Sequence, residues 1–402
     1  MRSFLNLVGF EYKKIFKRKS AIIAFVLGIV LTFISPLMIF FGTSYIDGEP
    51  FENHYDAMVK DRAYAMALSA RAIDEMLLME TRDAYSKIPL VERYGITPEY
   101  QQFARPYRDI FVIMDWAFNL DMESVRDLTE NDLRGYYQTR HEKVAANIRT
   151  GTISDAAKDT LIRLDSEIDT PFVYVYTGGF NSLIGGIYTI GIMSAFILAI
   201  CLAPMFAGEY STRADQLILS SKLGKNKLIS AKLFTALSLF VVFFMLLIVI
   251  AFIMCMSVYG YGGASAPFQL IMPFLAYPLT ILEAVLIFAV CAFFGTFLIA
   301  AITLVLSSKF KSPFGVIIII SVLLFVPMMI DVPGTIVWLH NLFSLLPTSM
   351  MSARSVFSHV PFDFFGLIVL PYTALPIFAI IAGTIMLPFA WRSFRNHQIG
   401  SA

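Results

Sequence analysis

Long apolar stretches separated by charged segments dominate the pattern of this chain. An α-helix rises about 1.5 Å per residue, so about 20 consecutive apolar residues cross a hydrocarbon core of about 30 Å. Six stretches meet this requirement, and they cover residues 21–41, 183–206, 233–256, 270–306, 313–330 and 364–391. We therefore predict an all-α polytopic membrane protein with six transmembrane helices, which cannot fold as a soluble globule.

The composition agrees with a membrane protein. Of the 402 residues, 57% are hydrophobic and 15% are charged, whereas soluble domains have about 45–50% and about 25%. The three cysteines all lie within apolar stretches, so the sequence predicts neither a disulfide framework nor a Cys/His metal site. They are Cys201, Cys255 and Cys291.

Positive charge marks one side of the predicted membrane bundle. Basic residues precede the first stretch, lie between the second and third and between the fourth and fifth, and follow the sixth. Because basic loops stay in the cytoplasm, both termini are predicted to be cytoplasmic. The segment 42–180 carries 24 acidic and 15 basic residues, a net charge of −9, and is predicted to lie outside.

Residues 1–20 have the pattern of an amphipathic helix on the inner membrane surface. Phe4, Val8, Tyr12 and Ile15 recur at helical spacing, with the charged residues largely elsewhere. Such a helix is expected to contact membrane lipids, although a basic flank that only sets orientation has the same composition. The candidate interfacial residues are Glu11, Lys13, Lys14 and Lys17. The next segment, 21–42, is predicted to be a retained membrane span, because no small-residue cleavage site follows it.

The rest of the chain divides into an extracellular helical domain, 43–180, and a five-span membrane domain, 181–402. Thr97-Pro98-Glu99 places a capping oxygen, a proline and an acid at a helix start. Ser154 before Asp155 predicts another helix start. The segment 331–363 is apolar but broken by prolines, which predicts re-entrant or surface-lying helices that face outward.

The segment 208–228 is the most informative part of the sequence. Glu209 ends a membrane stretch, a short apolar helix follows, and a basic turn precedes the next stretch. A short helix that projects from a membrane bundle can move two spans when a partner moves it. Glu209 can pair with a basic residue of the N-terminal helix or of that partner; a solvated loop with an ordinary interfacial acid fits these residues equally well. The candidate coupling residues are Glu209, Tyr210, Arg213, Asp215, Leu217, Leu219 and Lys225.

This segment resembles the cytoplasmic loop of the type-2 permease family of bacterial ATP-binding-cassette (ABC) exporters. The residues that match in order are Glu209, Leu217-Ile218-Leu219-Ser220-Ser221, Lys225 and Lys232. Three further segments are similar to the family's N-terminal helix, its leucine-serine turn and its segment before the last span: residues 10–17, 306–312 and 342–347. The sequence departs from the family where Ala214-Asp215 replaces Gly-Thr and where Lys222 replaces a proline. The domain 43–180 fits the family variant with a large extracellular insertion after the first span.

The resemblance implies a permease subunit that exports an unidentified peptide, lipid-like or drug-like substrate across a bacterial cell membrane. It also implies a separate ABC ATPase subunit, which would hold ATP and magnesium, and a second permease copy or a related permease. The chain itself has no GxxxxGK[ST] phosphate-binding loop. We therefore expect no enzyme activity, no catalytic residue, and no cofactor or metal bound by this chain, and nothing in the sequence points to nucleic acid.

Two other functions would need different sequence features. A secondary transporter driven by an ion gradient needs polar groups near the bilayer midplane, and Glu283 in the fourth stretch is the only candidate. A shallow acid that reaches the outer headgroups is the other explanation for Glu283. A sensor or scaffold would need a cytoplasmic output domain, but only eleven residues follow Trp391.

Overall fold

Helices form most of this protein in a computed structural model, which describes residues 2–221 and 224–397. The α-helices in the first half of the chain are α1 (Arg2–Phe16), α2 (Lys19–Ile34), α3 (His54–Leu68), α4 (Glu75–Ser86), α5 (Arg108–Phe118), α6 (Glu130–Arg134), α7 (Tyr136–Thr150), α8 (Asp155–Ser166) and α9 (Gly178–Leu202). Those in the second half are α10 (Ala207–Ser211), α11 (Ala214–Ser220), α12 (Ile229–Tyr259), α13 (Ile281–Lys309), α14 (Pro313–Phe325), α15 (Val337–Ser344), α16 (Ala353–Val356) and α17 (Pro371–Arg395).

Two short antiparallel hairpins accompany the helices. The first pairs β1 (Thr43–Ile46) with β2 (Glu49–Asn53), and the second pairs β3 (Phe362–Phe364) with β4 (Leu367–Val369). The predominantly helical fold that the sequence predicts is confirmed, with these hairpins as small additions at the ends of the first and last apolar stretches.

Five helical stretches are long and apolar enough to cross a membrane: Lys19–Phe40, Gly178–Met205, Gly224–Tyr259, Ile281–Lys309 and Pro371–Arg395. The stretch Pro313–Met329 is apolar but shorter. It coincides with the fifth of the six predicted spans, and a six-span topology therefore stays a prediction.

Two of the predicted spans begin later than the sequence pattern indicates. The fourth was expected from residue 270, but Pro273 and Pro278 precede the helix, and Thr280 caps its start. The sixth was expected from residue 364, but the second hairpin occupies that region and Pro371 opens the helix. Apolar composition alone does not distinguish a helix from the apolar loop that leads into it.

The apolar helices form one bundle around α13 and α9. Helix α13 packs against α17 and α9, and α9 also packs against α12 and α2. Phe240, Phe244 and Phe293 form an aromatic cluster between α12 and α13. Helix α1 lies against α12, with its Tyr12 hydroxyl 2.8 Å from Ser238 Oγ.

Residues 43–177, here called the insert domain, have a core of their own. Leu77, Ile110, Met114 and Phe172 are fully buried in it. The predicted helix starts are present, because Ser154 Oγ accepts from the Ala157 amide at 3.4 Å and Thr97 Oγ1 accepts from the Tyr100 amide at 3.2 Å. The helix that starts after Thr97 is π-helical over Tyr100–Ala104 and continues through Arg105–Tyr107 into α5.

The segment 331–363 contains the short helices α15 and α16, joined by a tight turn at Ser349–Met351. Short broken helices are what its prolines predict. The buried Met350 and Met351 of that turn pack against α13, so the segment is part of the bundle rather than a free loop.

Candidate functional site

The chain turns sharply at the end of α9, and this turn builds the coupling segment. Helix α9 gives way to a tight turn, Ala203–Met205, before α10 starts. Ser307 of α13 holds both sides of the break. Its Oγ donates to the Ala203 carbonyl at 2.7 Å and accepts from the Phe206 and Ala207 amides at 3.0 and 3.1 Å. The hydroxyl thereby satisfies backbone groups that the interrupted helix leaves without partners.

A cluster of four charges, three of them buried, lies beside this break and is called the buried cluster below. Lys232 Nζ donates to Glu209 Oε1 at 2.8 Å, to Glu11 Oε2 at 2.9 Å and to the Met205 carbonyl at 3.0 Å. Lys14 binds the same oxygen of Glu209 and lies 3.7 Å from Glu11 Oε1. The cluster joins α1, α10 and the start of α12, so the predicted pairing of Glu209 with the N-terminal helix is present.

The charges in the cluster balance, with two carboxylates against two ammonium groups. Lys232 is only 1% exposed, and Glu11 and Glu209 are also buried. Burial raises the pKa of Glu209, but Lys232 and Lys14 outweigh it and hold that pKa below its ordinary value. Glu209 is therefore ionised at neutral pH, and removing the buried Lys232 would leave buried negative charge poorly compensated.

The C-terminal part of α17 covers the other side of the coupling segment. Tyr210 donates its hydroxyl proton to the Ser308 carbonyl at 2.9 Å, and its ring packs against Phe394 and His397. The buried Asp215 lies 3.7 Å from His397 Nε2. These contacts fix α10 and the first turn of α11 against the bundle.

Three of the remaining predicted coupling residues, Arg213, Leu217 and Lys225, are exposed, whereas the fourth, Leu219, is buried. Leu217 on α11 is 78% exposed, while Leu219 on the same helix is buried. Arg213 has a positive φ of 57° at the junction between α10 and α11, and its side chain is exposed, as is that of Lys225. An apolar side chain between exposed cations makes a surface suited to a protein partner. Residues 222 and 223 of the predicted segment 208–228 lie outside the described residues.

Of the predicted interfacial residues, Glu11 and Lys14 belong to the buried cluster, whereas Lys13 and Lys17 are exposed. Arg18 at the junction of α1 and α2 donates from Nη2 to the Cys201 carbonyl at 2.7 Å. Helix α1 therefore has one face fixed to the bundle and another face with the exposed cations Lys13 and Lys17.

Glu283 lies in the first turn of α13, where its Oε2 accepts from the Thr280 amide and hydroxyl, both at 2.8 Å. This reciprocal capping box is a common way to start a helix. The side chain is exposed at the start of the candidate span Ile281–Lys309, because the helix starts eleven residues later than the apolar pattern indicates. This position fits the shallow acid of the two explanations, and an intramembrane polar site at Glu283 stays a prediction.

Sequence reasoning missed the central roles of Lys232 and Ser307. The sequence relates both residues only to segments that resemble the type-2 permease family. One signal was available for Lys232. A lysine directly before an apolar span lies at the membrane boundary, where its charge needs a partner. No signal in the sequence pairs Ser307 with the break after α9.

The described residues contain no group of three or more His, Cys, Asp or Glu side chains placed to hold a metal ion. The chemistry that the cluster supports is mechanical. It ties α10, which leads into α11, to α1 and α12, and Ser307 and Ser308 tie the same segment to α13.

A protein-family model described as "ABC-2 family transporter protein" matches residues 82–388, which is more than half of the chain. No curated protein and no solved structure matches this chain significantly. The family resemblance carried by Glu209, the apolar helix of residues 217–221 and the leucine-serine turn is thus confirmed. The chain belongs to the ABC-2 transporter family and is the multi-pass membrane subunit of an ABC transporter, as distinct from its ATPase.

Proposed function

We propose that this chain is the permease subunit of an ATP-driven exporter in the bacterial cell membrane. Its substrate is a peptide, a lipid-like molecule or a drug-like molecule. The observation that carries the proposal is the buried cluster of Glu11, Lys14, Glu209 and Lys232, which connects a projecting helix to the membrane bundle. Family membership supplies the expectation of a separate ATPase subunit.

The proposed topology has six spans, with both termini in the cytoplasm and the insert domain outside. The basic segments support it, because all four fall on one side when Pro313–Met329 counts as a span. The net charge of −9 in residues 42–180 supports the outside position of the insert domain.

In this mechanism the ATPase holds ATP and magnesium and binds the exposed side of α11. Leu217 provides the apolar contact, and Arg213 and Lys225 provide charge. When two ATPase subunits close on ATP, each pulls its α11 inward, and the buried cluster passes this movement to α1 and α12. A second permease copy, or a related permease, provides the other half of the path.

The test is a pull-down from detergent-solubilised native membranes with a tag on the C-terminal tail. We expect an ABC ATPase to co-purify in stoichiometric amount and to hydrolyse ATP. The double variant Leu217→Ala/Arg213→Ala should retain less than a tenth of the ATPase that co-purifies with the wild type. Both side chains are exposed, so the fold should survive, unlike that of a Glu209 variant.

Leu246→Ala is the matched control, because it removes an equally apolar exposed side chain from the middle of α12. It should retain the ATPase fully. A folded wild-type protein without any ATPase would contradict the proposal, and so would full retention by the double variant.

The position of Glu283 removes the main support for gradient-driven transport. Its carboxylate is committed to the capping box at the start of α13, and it was the sole acid expected within a span. Export driven by a partner ATPase is therefore the better supported function.

A further inference from the structure

An open strand edge lies where the insert domain returns to the membrane bundle. Residues 171–175 are extended, and one side of them pairs with residues 70–73. The Tyr174 amide donates to the Arg71 carbonyl at 2.8 Å, and the Ile73 amide donates to the Phe172 carbonyl at 2.7 Å. In this pattern the backbone of Val173 faces the opposite side. Within the described part of the chain, neither its amide nor its carbonyl has a hydrogen-bond partner.

This edge forms one wall of a cleft of about 470 Å³. The other wall is the loop between α12 and α13, from Ser265 to Pro267 and from Pro278 to Thr280. Unpaired strand edges attract further strands, and a cleft beside one has room for a few residues of extended chain.

The rim of the cleft is acidic. Glu167 and Asp169 both line it. Glu167 is paired with Arg163 at 2.6 Å, whereas no ion pair involves Asp169 among residues 2–221 and 224–397. A cationic group on a bound molecule would compensate that carboxylate.

A buried acceptor without a partner lies in the same wall. Gln269 lines the cleft and is 0% exposed. Its Nε2 donates to the Leu275 and Tyr277 carbonyls at 3.1 and 2.8 Å, which fixes the orientation of the amide. Its Oε1 has no hydrogen-bond partner among the described residues, and a buried acceptor without a donor is costly.

We propose that this cleft binds an extended peptide segment that carries a lysine, an arginine or a free amino terminus. The peptide adds a strand to the Val173 edge through its backbone, and its cation pairs with Asp169. A lipid would leave the strand edge unused, so the peptide is the better occupant. This goes beyond the proposed function, because binding in the cleft requires neither transport nor an ATPase.

The experiment uses the full chain in lipid nanodiscs and fluorescence anisotropy. The probe is a labelled heptapeptide of alternating valine and threonine with a central lysine. We expect saturable binding that weakens at least tenfold when alternate backbone amides of the peptide are N-methylated. Replacing the lysine by glutamate should weaken it at least as much.

Two protein variants locate the site. Val173→Pro removes the edge amide, which no described residue uses, and should weaken binding at least tenfold. Asp169→Asn should weaken it about fivefold. The control Asp159→Asn removes an exposed carboxylate of the same domain that does not line the cleft, and it should leave binding unchanged.

The proposal is overturned if the lysine peptide shows no saturable binding. It is also overturned if the N-methylated peptide binds equally well, or if folded Val173→Pro and Asp169→Asn proteins both bind like the wild type. The Asp169→Asn protein keeps the test decisive if the proline variant fails to fold.

Discussion

Lys232 is the residue on which the buried cluster depends most. Among the described residues, it alone donates hydrogen bonds to both Glu11 and Glu209, and it also donates to the Met205 carbonyl. Lys232→Met should therefore lower the free energy of unfolding by about 3–5 kcal/mol, since removing one partner of a buried ion pair leaves charge uncompensated. Thermal unfolding in detergent, followed with a thiol-reactive dye that reports exposure of the three buried cysteines, measures the loss.

Lys60→Met is the matched control for this prediction. Lys60 is 58% exposed along its side chain and pairs with Glu52 at 2.7 Å, so its loss should cost less than about 1 kcal/mol. Equal destabilisation by the two substitutions would show that the buried cluster has no special weight in stability.

Single residues show how far sequence reasoning reached. Glu209 was identified because an acid at the end of an apolar span needs a cation, and the structure supplies Lys14 and Lys232. The depth of Glu283 could not be predicted, because Thr280 and two nearby prolines rather than hydropathy set the helix start. Charges at the ends of apolar stretches are thus predictable as paired, but their depth depends on local capping.

At the scale of elements, the break between α9 and α10 gives a sharp prediction. Ser307→Ala leaves the Ala203 carbonyl and two amides without their partner in a buried site. We expect a loss of about 1–3 kcal/mol in stability. If the substitution loosens α10, the ATPase should also hydrolyse ATP at the same rate with and without the variant permease.

Ser308→Ala provides the comparison, since the Ser308 hydroxyl donates only to the Val305 carbonyl of its own helix. Its unfolding midpoint should stay close to that of the wild type. If the two alanine variants unfold at the same temperature, the Ser307 hydroxyl does not hold the break together.

The type of the elements was more predictable than their limits, and the predicted fifth span coincides with a shorter apolar stretch, Pro313–Met329. Hydropathy identified every long apolar helix, because about 20 apolar residues in a row have few other solutions. It could not show that residues 270–280 form a loop or that 362–369 form a hairpin, since both segments are as apolar as the helices they precede. The partner of Ser307 lies about 100 residues away, beyond any local pattern.

At the scale of the whole molecule, Arg140 joins the insert domain to the bundle. Its guanidinium is buried and donates to Asp165 at 2.8 Å and to the Pro273 and Leu275 carbonyls at 3.1 and 2.9 Å. Both carbonyls belong to the loop that leads into α13. The sequence predicts a separate helical domain, but it gives no sign of this attachment, because the acceptors are backbone groups that any residue could present.

Arg140→Met should release that attachment while the core of the insert domain stays folded. Hydrogen–deuterium exchange should become faster in residues 268–280, which lose the guanidinium, while exchange in α4 and α5 stays slow because Leu77 and Met114 remain buried. Arg134→Met is the control, since Arg134 forms only an exposed pair with Glu75 at 3.1 Å. Faster exchange throughout the insert domain would mean that Arg140 supports the domain's own fold.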